Sequence, residues 1–151
     1  MSERILEVKN SITQLKSLKY NYACLNLDSC LGDRKLVSKS LNTLNRELPH
    51  VSKLLVSRNT RRVVVMAYIP ITKASKLRPA LFIKKSIEGI CSSIINNISE
   101  TTAIAILSSN TGSSTLQIKD MIVKNNDKFL TFFSNLPRVD EEDEYLDDDV
   151  F

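Results

Sequence analysis

The chain has 151 residues, of which 42% are hydrophobic and 25% are charged. A sequence of this length and composition can bury one hydrophobic core without disulfides or structural metals. It contains one histidine, three glycines and three cysteines, too few for most metal sites, catalytic triads and glycine-rich phosphate loops. We therefore predict no cofactor and no enzymatic activity.

The individual candidates for catalysis and metal binding lead to the same prediction. Five residues separate Cys24 from Cys30, whereas about two to four separate the cysteines of a usual zinc-binding pair. His50 is the only histidine, and the sequence pairs it with no cysteine nucleophile. The Gly-x-Ser-x-Gly motif of serine hydrolases is absent, as is the Gly-x-x-x-x-Gly-Lys phosphate loop. The sequence thus predicts neither a metal centre nor a catalytic residue.

Cysteine content and hydropathy also indicate a compartment. An odd number of cysteines suits a reducing environment better than a disulfide framework. The start of the chain lacks the basic and then apolar layout of a secretory signal. No apolar run reaches the roughly 18 residues that a membrane-spanning helix needs. We therefore expect an intracellular protein, nuclear or cytoplasmic, that is not secreted and does not bind a membrane.

Charge is unevenly distributed along the chain. Residues 140–149 contain eight acids and no base, whereas residues 34–85 contain 13 bases and one acid, Glu47. A solvated basic surface that keeps the protein soluble would explain this pattern, and so would a surface that binds an acidic partner. For the second interpretation, the candidate contacts to nucleic acid or another anion are Lys53, Arg58, Arg61, Arg62, Lys73, Lys76, Arg78, Lys84 and Lys85.

Helical periodicity dominates the first third of the chain. Apolar residues recur at three- and four-residue spacing in two runs, over residues 5–25 and 37–55, and Asp33 can cap the second helix. The pattern predicts an antiparallel helical hairpin over residues 1–58, with a coiled-coil seam that could bind partner subunits. The candidate interface residues are Ile5, Val8, Ile12, Leu15, Leu41, Leu44 and Leu48.

Two segments allow alternative structures. Pro49 either follows a helix that ends near Glu47 or opens the first turn of a new helix. Three consecutive valines within residues 61–69 favour a buried strand over a continued helix. Residues 58–68 also resemble, over eleven residues, the arginine-rich helix of subunits of the GINS replication complex, although Pro70 falls where that helix would continue.

The remaining segments alternate between helical and strand patterns. We predict a helix over residues 79–99, a strand over residues 102–107 and a returning strand over residues 115–118. A last helix should begin at Asp120 and end before Pro137. The acidic segment that follows has too little apolar content to fold by itself.

Together these patterns predict a predominantly helical α+β protein, with an all-α fold as the alternative. Its parts are the helical hairpin of residues 1–58, a compact α/β part over residues 59–137 and a disordered acidic tail over residues 138–151. The predicted function is that of a non-catalytic interaction or scaffold subunit in an intracellular multiprotein assembly. The alternative is a nucleic-acid-binding protein that uses residues 34–85, with the acidic tail as an internal competitor. The expected partners are other protein subunits, with nucleic acid or another polyanion as the second class.

Overall fold

The computed structural model describes residues 3–18, 22–74, 78–90, 94–108 and 114–126. Within these residues, one sheet is formed by β1 (Tyr22–Asn26), β2 (Ser52–Arg58), β3 (Arg62–Tyr68), β4 (Ile95–Asn97) and β5 (Thr102–Ser108). The helices are α1 (Glu3–Leu18), α2 (Arg34–Glu47), α3 (Ile71–Ala74), α4 (Pro79–Ser86) and α5 (Thr115–Asn125), and a short 3₁₀ turn covers Asp28–Cys30.

The strand order in the sheet is β1-β2-β3-β5-β4. β1 and β2 are parallel, and the other neighbouring pairs are antiparallel. Parallel strands need a crossover connection, which the chain makes through the 3₁₀ turn and α2. β2 and β3 instead form a direct hairpin that is closed by residues 59–61. This hairpin joins the segments 1–58 and 59–137 within one sheet.

Helices cover both faces of the sheet. Val63 and Val65 pack with residues of α4 and α5, whereas Val64 and Met66 pack with residues of α1 and α2. Successive residues of a strand point to opposite faces, so β3 is a central strand buried on both sides. Each fully buried valine contributes about 2 kcal/mol relative to an exposed one. The pairing of β2 with β3 therefore lies at the centre of the core.

The prediction of a predominantly helical α+β fold is wrong, and so is its all-α alternative. The fold is α/β, with a five-stranded mixed sheet between two layers of helices. The coiled-coil prediction is also wrong, because α1 ends at Leu18 and residues 22–26 form β1. The second predicted helix fails likewise, because β2 is buried on both faces and shows no alternation of apolar and polar residues, so its short apolar run resembles part of a helical stripe.

Other element predictions are confirmed. Asp33 caps α2, and its Oδ1 accepts hydrogen bonds from two backbone amides at 2.8 and 3.3 Å. α2 ends at Glu47, before Pro49, as one alternative proposed. The strands predicted over residues 61–69 and 102–107 are β3 and β5. The resemblance to the GINS helix consequently fails, because its residues form the β2–β3 hairpin.

Two predicted elements beyond β3 differ from the structure. The helix predicted over residues 79–99 ends at Ser86, and Gly89 follows it with a φ of +80°. The returning strand predicted at residues 115–118 is the start of α5, because Ser114 and Gln117 form a capping box there. The second half of the predicted last helix and the acidic tail lie outside the described residues.

The candidate interface residues belong mostly to the core of the protein itself. Ile5 is 38% exposed, and Ile12 and Leu48 are half-buried against apolar clusters. The other four are buried, and they are Val8, Leu15, Leu41 and Leu44. The stripe that predicted a protein interface therefore packs within the fold.

Lys53, a predicted anion contact, is fully buried on β2. Its Nζ donates hydrogen bonds to Oδ1 of Asn45 at 2.7 Å and to the carbonyls of Leu48 and Val51 at 2.5 and 2.8 Å. The same nitrogen lies 4.6 Å from the centroid of the Tyr68 ring. An ammonium has three N–H donors, and these three acceptors use all of them. Lys53 thus fastens the end of α2 to the sheet and does not face an external anion.

Burial lowers the pKa of Lys53 to about 7, because the charged amine is removed from water. In the unfolded chain the same amine keeps its proton up to its ordinary pKa of 10.5. Between these two values the unfolded state binds more protons than the folded state. The free energy of unfolding therefore rises with pH across this window, as the cost of the buried charge is relieved.

We expect urea unfolding to show this rise between about pH 7 and pH 9, because above pH 9 the raised pKa of the buried Cys30 thiol acts in the opposite direction. Lys53→Met should remove the rise, because the titrating group is gone. Lys39→Met, which alters an exposed lysine of α2, is the matched control and should keep it. A wild-type stability that is constant over this range, or an unchanged slope in Lys53→Met, would contradict the assignment.

Candidate anion-binding site at one end of the sheet

Asn59 organises the turn between β2 and β3. Its Oδ1 accepts hydrogen bonds from the backbone N–H of Arg61 at 2.8 Å and of Arg62 at 2.9 Å. The N–H of Asn59 in turn donates to the carbonyl of Arg62 at 3.0 Å. An asparagine side chain that bonds the backbone two residues ahead closes a tight turn. The turn consequently holds Arg58, Arg61 and Arg62 at one end of the sheet.

Gly32 brings the loop before α2 against this turn. Its carbonyl accepts a hydrogen bond from Nε of Arg62 at 2.9 Å, and its N–H donates to Oγ of Ser57 at 2.9 Å. A Cβ at this position would lie 2.9 Å from the backbone nitrogen of Asn59 and 3.0 Å from the carbonyl carbon of Arg58. The φ of +69° also favours glycine. The close approach of loop and turn therefore requires glycine.

The first turn of α5 completes this end of the sheet. Oγ1 of Thr115 donates a hydrogen bond to the carbonyl of Asn59 at 2.6 Å and accepts one from Nη1 of Arg58 at 3.4 Å. A guanidinium has five N–H donors, so one internal hydrogen bond orients the Arg58 side chain and leaves donors for a ligand. Arg62 also keeps donors for a ligand, because only its Nε–H is used, in the hydrogen bond to the carbonyl of Gly32.

Five basic residues share this location, and we name them the basic end. The exposed members are Arg34, Lys35 and Arg61, and the half-buried members are Arg58 and Arg62. None of the five forms an ion pair with a carboxylate of the described residues. Asp33, the acid beside them in sequence, uses its carboxylate to cap α2. The basic end therefore carries positive charge that the described part of the fold leaves unpaired.

Arg34 and Lys35 occupy a position that helix energetics disfavours. Both lie in the first turn of α2, which contains no acid. The helix macrodipole is positive at this end, so each base costs about 0.3 to 1 kcal/mol. The first turn of α5, which also lacks an acid, starts beside the same residues. A negatively charged ligand at the basic end would offset this repulsion.

The structure brings together only part of the predicted anion-contact set. Arg58, Arg61 and Arg62 lie in the basic end, whereas Lys53 is buried. Arg78 and Lys84 line a separate open groove of about 550 Å³ between α4 and β4, which the acid Glu100 also lines. Lys85 forms an ion pair with Glu88 at 3.8 Å. Lys76 and the side chain of Lys73 lie outside the described residues.

Sequence reasoning did not single out Arg34 and Lys35. A signal was present, because two bases directly follow Asp33, which the sequence already identified as a helix cap. Basic residues at that place oppose the helix macrodipole and thereby point to an anionic partner. Their proximity to the β2–β3 turn depends on the Gly32 contact, which sequence patterns do not reveal.

Other kinds of site find little support in the described residues. No group of three or more His, Cys, Asp or Glu side chains among them could hold a metal ion. Cys30 is buried, and burial raises the pKa of its thiol, so the reactive thiolate is disfavoured. None of the described helices has the length and apolar character needed to span a membrane.

No protein-family model matches the sequence, and no curated protein matches it. Among solved structures, the fold is similar to the crystal structure of the C-Ala domain from Aquifex aeolicus alanyl-tRNA synthetase. The TM-score is 0.51, the sequence identity is 7%, and the match covers 77% of this chain and 91% of that chain. At this identity the similarity concerns the fold alone.

We expect Gly32→Ala to lower the free energy of unfolding by about 2 to 4 kcal/mol, because the added Cβ meets the backbone of the β2–β3 turn at a positive φ. Gly89→Ala is the matched control. Its φ is also positive, at +80°, but among the described residues no atom beyond Gly89 and its chain neighbours lies within 4 Å of the added Cβ. Chemical unfolding of both variants separates backbone strain from the steric contact. Equal losses in the two variants would mean that the contact at Gly32 contributes nothing.

Proposed function

We propose that the chain is a non-catalytic nucleic-acid-binding protein that contacts the phosphate backbone through the basic end. One observation supports this proposal most strongly. Five bases lie beside the first turns of α2 and α5, and none of them pairs with a carboxylate of the described residues. Four of the five are arginines, whose planar guanidinium can donate two parallel hydrogen bonds to a phosphate. Such contacts give affinity that depends on salt and little on sequence.

The role of a scaffold subunit in an intracellular multiprotein assembly stays a prediction. Its main argument, an apolar stripe left over for a partner, is weaker because that stripe packs within the fold. An acidic protein surface could also bind the basic end, which would make the chain an adaptor. The binding experiment below therefore includes a protein-like polyanion, poly-glutamate, beside nucleic acid.

The test replaces exposed bases at the basic end and compares them with exposed bases elsewhere. The first variant carries Arg34→Gln, Lys35→Gln and Arg61→Gln, and the control carries Lys9→Gln, Arg46→Gln and Lys124→Gln. All six residues are exposed, and both variants lose the same net charge. We expect the first variant to bind a fluorescent oligonucleotide at least about tenfold more weakly at low salt. Its slope of log affinity against log salt should also decrease by roughly 2.

The control variant should stay within about twofold of the wild type, since its changes lie on the helical faces. Equal losses in both variants would show that only the net charge matters and would refute a site at the basic end. Stronger binding of poly-glutamate than of nucleic acid at equal charge would refute nucleic acid as the ligand.

A separate prediction concerns the acidic tail. Eight acids within residues 140–149 form a polyanion that can compete with nucleic acid for the basic end. Deletion of residues 140–151 should tighten binding to the oligonucleotide by a few-fold at low salt, and the gain should fade as salt rises. The melting temperature should barely change. If truncation leaves the affinity unaltered at low salt, the tail is not an internal competitor.

A further inference from the structure

Leu31 lies within the loop that Gly32 brings against the β2–β3 turn. Its N–H donates to the carbonyl of Asp28 at 3.1 Å, and its carbonyl accepts a hydrogen bond from Nδ2 of Asn59 at 3.1 Å. The next residue, Gly32, accepts from Arg62. Hydrogen bonds of its N–H and its carbonyl therefore fix the backbone of Leu31 next to the basic end.

Two properties of Leu31 are unusual together. Its φ is +52°, and it is the one residue other than glycine with a positive φ in the described part of the chain. Its side chain is 66% exposed, so no burial in the core compensates for this conformation. Glycine or asparagine would adopt the left-handed conformation at lower cost, by roughly 1 kcal/mol for glycine. The chain thus holds an exposed apolar side chain at a position that favours other residues, one residue before the Arg62 contact of Gly32.

An exposed apolar group in the same loop as a contact to an arginine is complementary to a nucleotide. The phosphate is bound by the arginines, and the flat, weakly polar face of the base is covered by the apolar side chain. In a regular duplex the base faces are stacked on one another, so an apolar side chain reaches them only by unstacking a base step. In a single strand they are accessible without that cost. A polyanion without bases offers no surface for the leucine.

We propose that Leu31 contacts unstacked bases, so that the ligand of the basic end is single-stranded nucleic acid. This inference rests on the proposed function, since the arginines must first bind the phosphates. It goes further by naming a residue that distinguishes nucleic acid from other polyanions. The contact is sequence-tolerant, because every base presents an apolar face.

The experiment measures the binding of Leu31→Asn to four probes of equal charge: single-stranded RNA, single-stranded DNA, duplex DNA and heparin. Asparagine tolerates a positive φ, so the variant should fold with an unchanged or slightly higher melting temperature. We expect its affinity for the two single strands to fall roughly fivefold. Affinity for heparin, and the slope of log affinity against log salt, should stay unchanged because no cation is removed.

Leu31→Gly should give the same losses, which excludes a specific effect of the asparagine side chain. Leu6→Asn, which alters a 53% exposed leucine on α1, is the matched control and should bind all four probes as the wild type does. The RNA and DNA arms then show whether the sugar contributes.

The outcomes separate the two proposals. If the wild type binds none of the four probes at low salt, the proposed function itself is refuted. If the wild type binds but Leu31→Asn and Leu31→Gly lose nothing on single strands, or lose as much on heparin as on single strands, the inference about Leu31 is refuted while the proposed function stands.

Discussion

The pairing of β2 with β3 is the constraint on which the rest of the structure depends. Their residues face both helical layers, so α1 and α2 on one side and α4 and α5 on the other cover the same two strands. The tip of the same hairpin carries three of the five residues of the basic end. The β2–β3 hairpin therefore contributes its strands to the core and its tip to the candidate site. The sheet thereby fixes the position of the arginines at the tip.

Polar contacts within the protein position the basic end and use few of the N–H donors of its side chains. Asn59 closes the turn, Gly32 allows the neighbouring loop to approach, and Thr115 orients one guanidinium. Hydrogen bonds to Thr115 and Gly32 reduce the conformational freedom of the Arg58 and Arg62 side chains before any ligand binds, which lowers the entropic cost of binding. Lys53 shows the opposite use of a cation, because all of its donors are occupied inside the protein. Basic residues in one segment thus serve different purposes according to their burial.

Sequence patterns located part of the candidate site. The excess of bases over acids in residues 34–85 pointed to Arg58, Arg61 and Arg62. Counting charges cannot show which of them reach the surface, so Lys53 was included wrongly as an external contact. Leu31 was overlooked since a leucine next to a glycine looks ordinary in sequence. Its positive φ follows from hydrogen bonds to Asp28 and Asn59, and the second of these residues is distant in the chain.

The sequence by itself determined the cap of α2, the end of that helix before Pro49, the strands β3 and β5 and the basic character of the chain's centre. These features depend on neighbouring residues, whose conformational preferences act locally. Only the tertiary structure decided that residues 22–26 and 52–58 are strands rather than parts of helices. Each segment is a short apolar run compatible with either structure, and it becomes a strand by pairing with the other across the α2 crossover. The same long-range pairing brings Gly32 to the β2–β3 turn and so assembles the basic end from separate segments.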